Sequence, residues 1–252
     1  MTRKARVLLF DIETAPTLGY VWGLWETNVI KVVKDWHVLC FAAKWLDETK
    51  IISASLPDFP LYKKEPSNDK CVMEALWKLL DEADIVIAHN GDKFDIKKSN
   101  ARFIMHGMSP PSPYQTIDTL KLARRHFKFD SNKLDELGRY LGVGRKMRTG
   151  GFSLWEDCMN GDLLAWRKMV RYNRTDTILL EHVYNKILPW SSTPNLNVIR
   201  GTNDKCPKCG GSLQSRGFNH SKTNRYRRFQ CMGCGGWSSA RSAEKDNPVM
   251  VK

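Results

Sequence analysis

The stretch RVLLFDIET, residues 6–14, decides how the rest of the chain is read. Its first half, Arg6–Phe10, is an apolar, β-favouring run that predicts a buried central strand. The run ends at Asp11, and Glu13 follows two positions later. Side chains two apart on a strand point to the same side, so both carboxylates reach one place. Two further acids stand in comparable settings: Asp95 in AHNGDKFD, after a short apolar run and an Asn90-Gly91 turn, and Asp176 in YNRTD. Oxygen-rich carboxylate sets suit hard cations such as Mg²⁺ and Mn²⁺. Two such ions about 4 Å apart can activate a water and stabilise the leaving oxygen of a phosphodiester. Tyr172 lies four residues before Asp176, so the phenol and the carboxylate share a helix face. Singly, each motif is more often a solvated turn or a surface acid. Their order and context together point to metal-dependent phosphodiester chemistry.

Working outward, the pattern predicts strands at His37–Leu46 and Ile51–Ser55, joined by a turn at Asp47-Glu48-Thr49, and a helix over Lys70–Ala83. A buried strand is expected at Ile85–Ala88, a helix over Phe94–His106 closed by Gly107, and a strand at Gln115–Ile117. Helices follow at Thr119–Phe127, at Leu134–Leu141 stopped by Gly142, and over the long segment Asp162–Leu188, with Asn160 as its expected N-cap. This succession predicts an α/β domain with a mixed sheet. PWSSTPNLNVIRGT, residues 189–202, is polar and carries two prolines, so it reads as linker. The expected organisation is a large domain over residues 1–190, a linker over 191–204, a cysteine-containing module over 205–240 and a flexible tail over 241–252.

The chain has 252 residues, 42% of them apolar, enough for one large core and a smaller appendage. Its net charge of +13 favours polyanionic partners, either nucleic acid or an anionic membrane surface. Residues 201–252 concentrate that charge, with ten Lys and Arg against three Asp and Glu. No run approaches the roughly 20 apolar residues a membrane span needs. The short apolar run after MTRKAR ends in acids, unlike a secretory leader. The expectation is a cytoplasmic protein that binds nucleic acid and no membrane.

Of seven cysteines, Cys40, Cys71 and Cys158 are scattered in apolar or helical surroundings and read as inert thiols. Cys206-Pro-Lys-Cys209 and Cys231-Met-Gly-Cys234 form two C-x₂-C knuckles. Four thiolates so arranged predict one closed, structural Zn²⁺ site with no open position for catalysis. Gly210 and Gly235 follow the knuckles, where the chain must turn round the metal. Between them Arg225, Tyr226, Arg227, Arg228 and Phe229 interleave bases with aromatics. Arginines can grip phosphates and aromatics can stack on bases, so Arg225, Tyr226, Arg227 and Arg228 are expected nucleic-acid contacts. The bland alternative makes the aromatics a miniature core and the arginines its solvated cover. The segment resembles the zinc ribbons of some transposases and other DNA-acting proteins.

The acidic motifs, in this order, resemble the DEDD superfamily of 3′–5′ exonucleases, which share a ribonuclease H-like fold. The likeness spans residues 5–188: its first motif is Asp11-Ile12-Glu13-Thr14, its second runs from Asn90 to Phe94-Asp95, and its third is Tyr172-x-x-x-Asp176. With Tyr at 172 and Arg at 171, the chain is similar to the tyrosine branch, which includes the proofreading domain of family B DNA polymerases. The resemblance implies a ribonuclease H-like fold and hydrolysis from 3′ ends with release of nucleoside monophosphates. It makes Asp11, Glu13, Asp95 and Asp176 ligands of two Mg²⁺ or Mn²⁺ ions and Tyr172 the residue that orients water. Thr14, Asn90 and Phe94 are the expected substrate contacts. DNA, especially single-stranded, is favoured over RNA. An exoribonuclease and a non-catalytic nucleic-acid binder of the same fold stand as alternatives, and recruitment by a replication or recombination partner is open. The Pro- and Trp-containing loop after the first motif places Thr14, Ala15, Trp22 and Trp25 where they could stack on or touch the terminal base, but the tryptophans are rather expected to pack against the sheet. Asp118 is expected to cap a helix rather than support the metal ligands, and His89 to be a satisfied strand-end residue rather than a base. Lys133, Arg145, Lys146 and Arg148 are candidate phosphate contacts or solvated surface.

Overall fold

The computed structural model describes residues 5–46, 48–191, 195–199, 204–222 and 224–244. The chain divides into two compact units, Arg6–Val183 and a second that begins at Tyr184. The division falls inside the last long helix, upstream of the expected linker.

In the first unit β1 (Val7–Thr14) is the middle of a five-stranded sheet. β2 (Leu18–Tyr20) and β3 (Lys31–Lys34) form a separate ribbon, and β4 (Val38–Trp45) and β5 (Ile51–Ser55) extend the main sheet on one side of β1. α1 (Lys70–Asp81) leads to β6 (Ile85–Ala88), and α2 (Asp95–Met105) leads to β7 (Gln115–Asp118). The order is β5-β4-β1-β6-β7, with β4 antiparallel to its neighbours and β1, β6 and β7 mutually parallel. α3 (Thr119–His126), α4 (Leu134–Tyr140), α5 (Ser153–Met159) and α6 (Leu163–Ile187) complete the unit and carry the chain into the next. The fold is the expected mixed sheet with flanking helices.

Every residue of β4 is buried, and Phe10, Phe41, Met73 and Leu76 lie in one apolar cluster with Trp166 and Met169. Burial on both sides explains why Val38–Ala43 reads as an unbroken apolar run rather than an alternating one. A polar fastening crosses this core. The fully buried carboxylate of Asp69 accepts two hydrogen bonds from the Arg102 guanidinium, each 2.7 Å, one from the Val38 amide at 2.7 Å, and lies 2.6 Å from His106 Nε2. It ties the start of α1 to α2 and to the start of β4. Buried charge is tolerated there because each carboxylate oxygen is met by a donor.

The structure departs from the sequence reading in several places. β1 continues past Phe10 to Thr14, because pairing with β4 persists from Leu8↔Trp45 to Thr14↔Val38. Asp11 and Glu13 thus lie within a paired strand rather than beyond it. The segment expected as a loop ahead of β4 contains the β2–β3 ribbon. α5 has no counterpart in the expected succession, and Asn160 forms its C-cap instead of starting α6. The α6 entry is held by Asp162, whose side chain accepts from Leu164 N at 2.7 Å and Ala165 N at 3.3 Å. Asp162, expected as the first helical residue, is the cap itself. Asp47, first residue of an expected turn, lies outside the described residues.

In the second unit, α7 (Leu196–Ile199) falls within the stretch expected as linker. β8 (Leu213–His220), β9 (Arg225–Cys231) and β10 (Trp237–Ser239) form an antiparallel sheet in the order β10-β9-β8. The start of the expected flexible tail is held in place: Glu244 N donates to Arg225 O at 3.0 Å, and its carboxylate pairs with Arg227 at 2.5 Å. Residues 245–252 lie outside the described part. Among the described residues, no helix is long and apolar enough to cross a membrane.

Candidate active site

Three of the four expected carboxylates converge. Oxygens of Asp11, Glu13 and Asp176 lie within 4.8 Å of one another. β1 supplies the first two at the alternating positions that face one side, opposite Ala42 and Cys40 of β4. α6 lies across these strands through Asn173, Thr177 and Glu181. Asn173 Nδ2 donates to Asp11 Oδ2 at 2.6 Å, Thr177 Oγ1 to Ala42 O at 3.4 Å, and Lys44 Nζ to Glu181 at 2.6 Å. These contacts set the helix so that Asp176 meets the β1 pair. Asn173 carries no signal of this role in the sequence; its place one residue after Tyr172 does not tell that its side chain points at β1.

Asp95 stands beside the group but outside it. It is buried at the first turn of α2, and its Oδ1 accepts the Ile12 amide at 3.1 Å. Its charge still raises the pKa of both Asp11 and Glu13. The turn that delivers it is sterically exacting. Asn90 has a φ of 64°, and a Cβ at Gly91 would sit 2.4 Å from that of Ala88. Asn90 N donates to Asp118 at 2.9 Å. Phe94, half exposed, immediately precedes Asp95, and Thr14 ends β1.

Lys146 is the cation of the site. Its Nζ donates to Asp176 Oδ2 at 2.5 Å and to the Tyr172 hydroxyl at 3.1 Å. Burial opposes the Lys146 charge, but Asp176 and Tyr172 outweigh it and raise the pKa. Of the four basic residues expected as phosphate contacts or surface, it alone is joined to the acidic group. Arg145 instead pairs with Asp135 at 2.8 Å and Glu136 at 3.3 Å. Asp118 caps α3, accepting from Leu120 N at 2.9 Å, and His89 is held between Thr119 Oγ1 at 2.9 Å and Asn132 O at 3.0 Å. Both follow the expected structural roles.

The donor set fits divalent cations. Oxygens on one Mg²⁺ at about 2.1 Å are separated by about 3 to 4.2 Å, a range the Asp11, Glu13 and Asp176 oxygens can span. Asp176 Oδ1 is buried without a hydrogen-bond partner, a cost that a cation ligand removes. Burial, followed by mutual repulsion, pushes Asp11 well above the usual carboxylate range; burial also lifts Glu13 to about 8 and Asp95 to about 7. These acids therefore hold protons in the folded protein at a pH where the unfolded chain, with ordinary values near about 4, has lost them. That contribution to stability is present at low pH and is lost as the pH rises through about 7 to 8. A bound cation replaces the protons. The rise in melting temperature on adding Mn²⁺ is accordingly expected to be larger at about pH 8 than at about pH 6. Equal rises at both would contradict this account.

The four cysteines of the second unit also converge, with all four sulfurs within 4.8 Å of one another. Cys206 Sγ lies 3.8 Å from Cys234 Sγ, and Cys209 Sγ lies 3.5 Å from Cys231 Sγ. Both are close to the edge of about 3.8 Å of a tetrahedron with 2.3 Å zinc–sulfur bonds, and both are far longer than a disulfide. Gly210 and Gly235 take φ of 76° and 73°, and amides of Gly211 and Gly233 donate to Cys209 and Cys231 sulfurs at 3.4 and 3.3 Å. Such bonds favour the thiolate a metal requires. On β9, Arg225 and Arg227 lie 4.7 and 5.6 Å from the Phe218 ring centroid and pair with Glu244. Arg228 stacks on Trp237 at 4.7 Å, and Tyr226 is half-buried opposite Asn219.

A family model described as the RNase_H superfamily matches residues 25–188 of this chain. The chain belongs to that superfamily. Its members are generally hydrolytic nucleases that use divalent metals and act on nucleic acids. The match begins after Asp11 and Glu13, so it is the register of β1 that adds those carboxylates to Asp176. This RNase_H superfamily chain also resembles the structure of the family B DNA polymerase from the hyperthermophilic archaeon Pyrobaculum calidifontis. The TM-score is 0.56 at 17% identity, over 81% of this chain and 28% of the polymerase chain. At that identity the likeness is one of fold, and it bears out the expected ribonuclease H-like architecture. No curated protein matches the sequence significantly.

Proposed function

We propose that this chain is a two-metal 3′–5′ exonuclease of the tyrosine branch of the DEDD superfamily, releasing nucleoside monophosphates from single-stranded DNA. The observation that carries the reading is the convergence of Asp11, Glu13 and Asp176 beside the hydroxyl of Tyr172, which shares Lys146 with Asp176. Asp11, Glu13, Asp95 and Asp176 would hold the Mg²⁺ or Mn²⁺ pair, which supplies Lewis-acid stabilisation of the phosphate and a nucleophile from water.

The chain's own groups have separable tasks. Burial, followed by the nearby Asp176 charge, raises the Tyr172 pKa, so the phenol keeps its proton at neutral pH. It therefore orients a water through hydrogen bonds and does not act as the base. Lys146 offsets the negative charge of the carboxylates and offers a donor where phosphate oxygens gather. Asn173 holds Asp11 Oδ2, fixing the direction of that carboxylate. Thr14, Asn90 and Phe94, which flank the acidic residues in sequence, would contact the terminal nucleotide. In the second unit Cys206, Cys209, Cys231 and Cys234 would hold one structural Zn²⁺. The ribbon over residues 205–240 would then help to bind nucleic acid through Arg225, Tyr226, Arg227 and Arg228.

The test uses DNA and RNA oligonucleotides with free or blocked 3′ ends, together with circular strands, in Mg²⁺ or Mn²⁺. Free 3′ ends are expected to shorten stepwise to mononucleotides, DNA faster than RNA. Cleavage of circular strands would overturn the exonuclease reading, and faster loss of RNA would overturn the DNA preference.

A further inference from the structure

The ribbon of β2 and β3 leaves its apolar residues in solvent. Trp22, Leu24 and Trp25 at its tip are 83%, 88% and 94% exposed, and Val32 and Val33 on β3 are each about half exposed. Both strands are open to solvent on both sides, unlike the main sheet. An isolated two-stranded ribbon is at best marginally stable in water, and a concentration of exposed large apolar side chains on one such element marks a binding surface.

Its root and its charge identify the occupant. The ribbon begins at Leu18, four residues after β1 ends, and its base is closed by Ala15 N donating to His37 O at 2.9 Å. It therefore springs from the same two strands, β1 and β4, that carry and flank Asp11 and Glu13. The register pairs Tyr20 with Lys31 and Leu18 with Lys34, so one face alternates apolar side chains with ammonium groups. Gly19 is required for the close pairing, since a Cβ there would meet Val29 at 2.5 Å. Between Leu18 and Lys34 the lone acid is Glu26. Unpaired nucleobases present flat π-faces at phosphate-spaced intervals, which an array of indoles and lysines can hold without reading sequence.

We infer that the Leu18–Lys34 ribbon is an arm that stacks unpaired bases of a single strand and holds that strand at the mouth of the carboxylate site. The arm names where the strand lies in the proposed exonuclease and rests on that reading.

Binding of a 5′-fluorescein-labelled thymidine 20-mer is measured by anisotropy in EDTA, where no hydrolysis occurs. The Trp22→Ala/Trp25→Ala protein is expected to bind at least about tenfold more weakly, with Trp→Phe at both positions restoring most of the affinity, as stacking is worth about 1–3 kcal/mol per base. Lys31→Glu/Lys34→Glu is expected to weaken binding and flatten its salt dependence. An unchanged affinity in the alanine protein overturns the arm. So does a change from dimer to monomer in sedimentation with binding retained, which would make the ribbon a contact between copies. The nuclease reading is judged separately, by Mn²⁺-dependent release of p-nitrophenol from thymidine 5′-(p-nitrophenyl phosphate) by the wild-type protein and by its Asp11→Ala form.

Discussion

Asp11→Ala is expected to lower Mn²⁺-dependent hydrolysis of a single-stranded oligonucleotide by about a thousandfold or more, as Lewis-acid stabilisation by a held cation is worth several kcal/mol and each 1.36 kcal/mol is tenfold. Burial raises the Asp11 pKa well above the usual carboxylate range, and its neighbours Asp95, Glu13 and Asp176 add repulsion. Removing it relieves that repulsion. The same variant in EDTA is therefore expected to melt at or above the wild-type temperature near pH 8, where Asp95 has lost its proton and Glu13 is losing its own. Loss of activity together with a gain in metal-free stability distinguishes a functional carboxylate from a structural one. A protein that lost both would show that Asp11 supports the fold through its bond from Asn173. Retained activity would remove the acidic site from the chemistry altogether.

The second large effect concerns the cysteines. Cys206→Ala is expected to lose zinc, from one equivalent to less than about a tenth of an equivalent, and to unfold the ribbon, because structural zinc contributes an apparent 10–16 kcal/mol in small modules. The ribbon has little else to hold it. Between residues 204 and 244 the buried apolar side chains among the described residues are those of Cys206 and Cys231 alone. A module of this size rarely draws more than about 3–5 kcal/mol from a core even when it has one. Metal analysis reads the first outcome, and limited proteolysis between residues 205 and 240 reads the second. Unchanged zinc content would sink the four-cysteine site. Ordered Gly211 and Gly233 amides facing sulfur predict that Cys209→Ala and Cys231→Ala behave alike.

Much of the fold and of the acidic site is legible in local sequence patterns. Asp11 and Glu13 sit on a strand, and period-two alternation alone puts them on one side of it. Ile85–Ala88 is recognisable because a strand buried throughout carries uninterrupted apolar residues, and the Asn90-Gly91 turn punctuates the chain just after it. Asn160 misleads because Asn is as good a cap as Asp, and the choice between them depends on where the preceding helix α5 ends. Trp22 and Trp25 mislead for a different reason. Large aromatic residues usually gain by burial, so the default is to pack them inside, and only the separation of β2–β3 from the main sheet leaves them exposed.

What the sequence determined by itself is the inventory: acids at strand and helix positions, a tyrosine one turn from the last acid, and four thiols in two knuckles. These depend on spacings along a strand, a helix or a tight turn, where geometry is local. The tertiary structure decided the selection among them. It gathered Asp11, Glu13 and Asp176, kept Asp95 on the Ile12 amide, chose Lys146 over Arg145 as the site's cation, and brought Asn173 to Asp11. The place of Asp95 depends on how α2 begins beside β1, that of Lys146 on how its loop meets α6, and the meeting of Asp11, Asp176 and Asn173 on how α6 crosses β1. That crossing is set by packing between residues more than a hundred positions apart, which no local periodicity encodes.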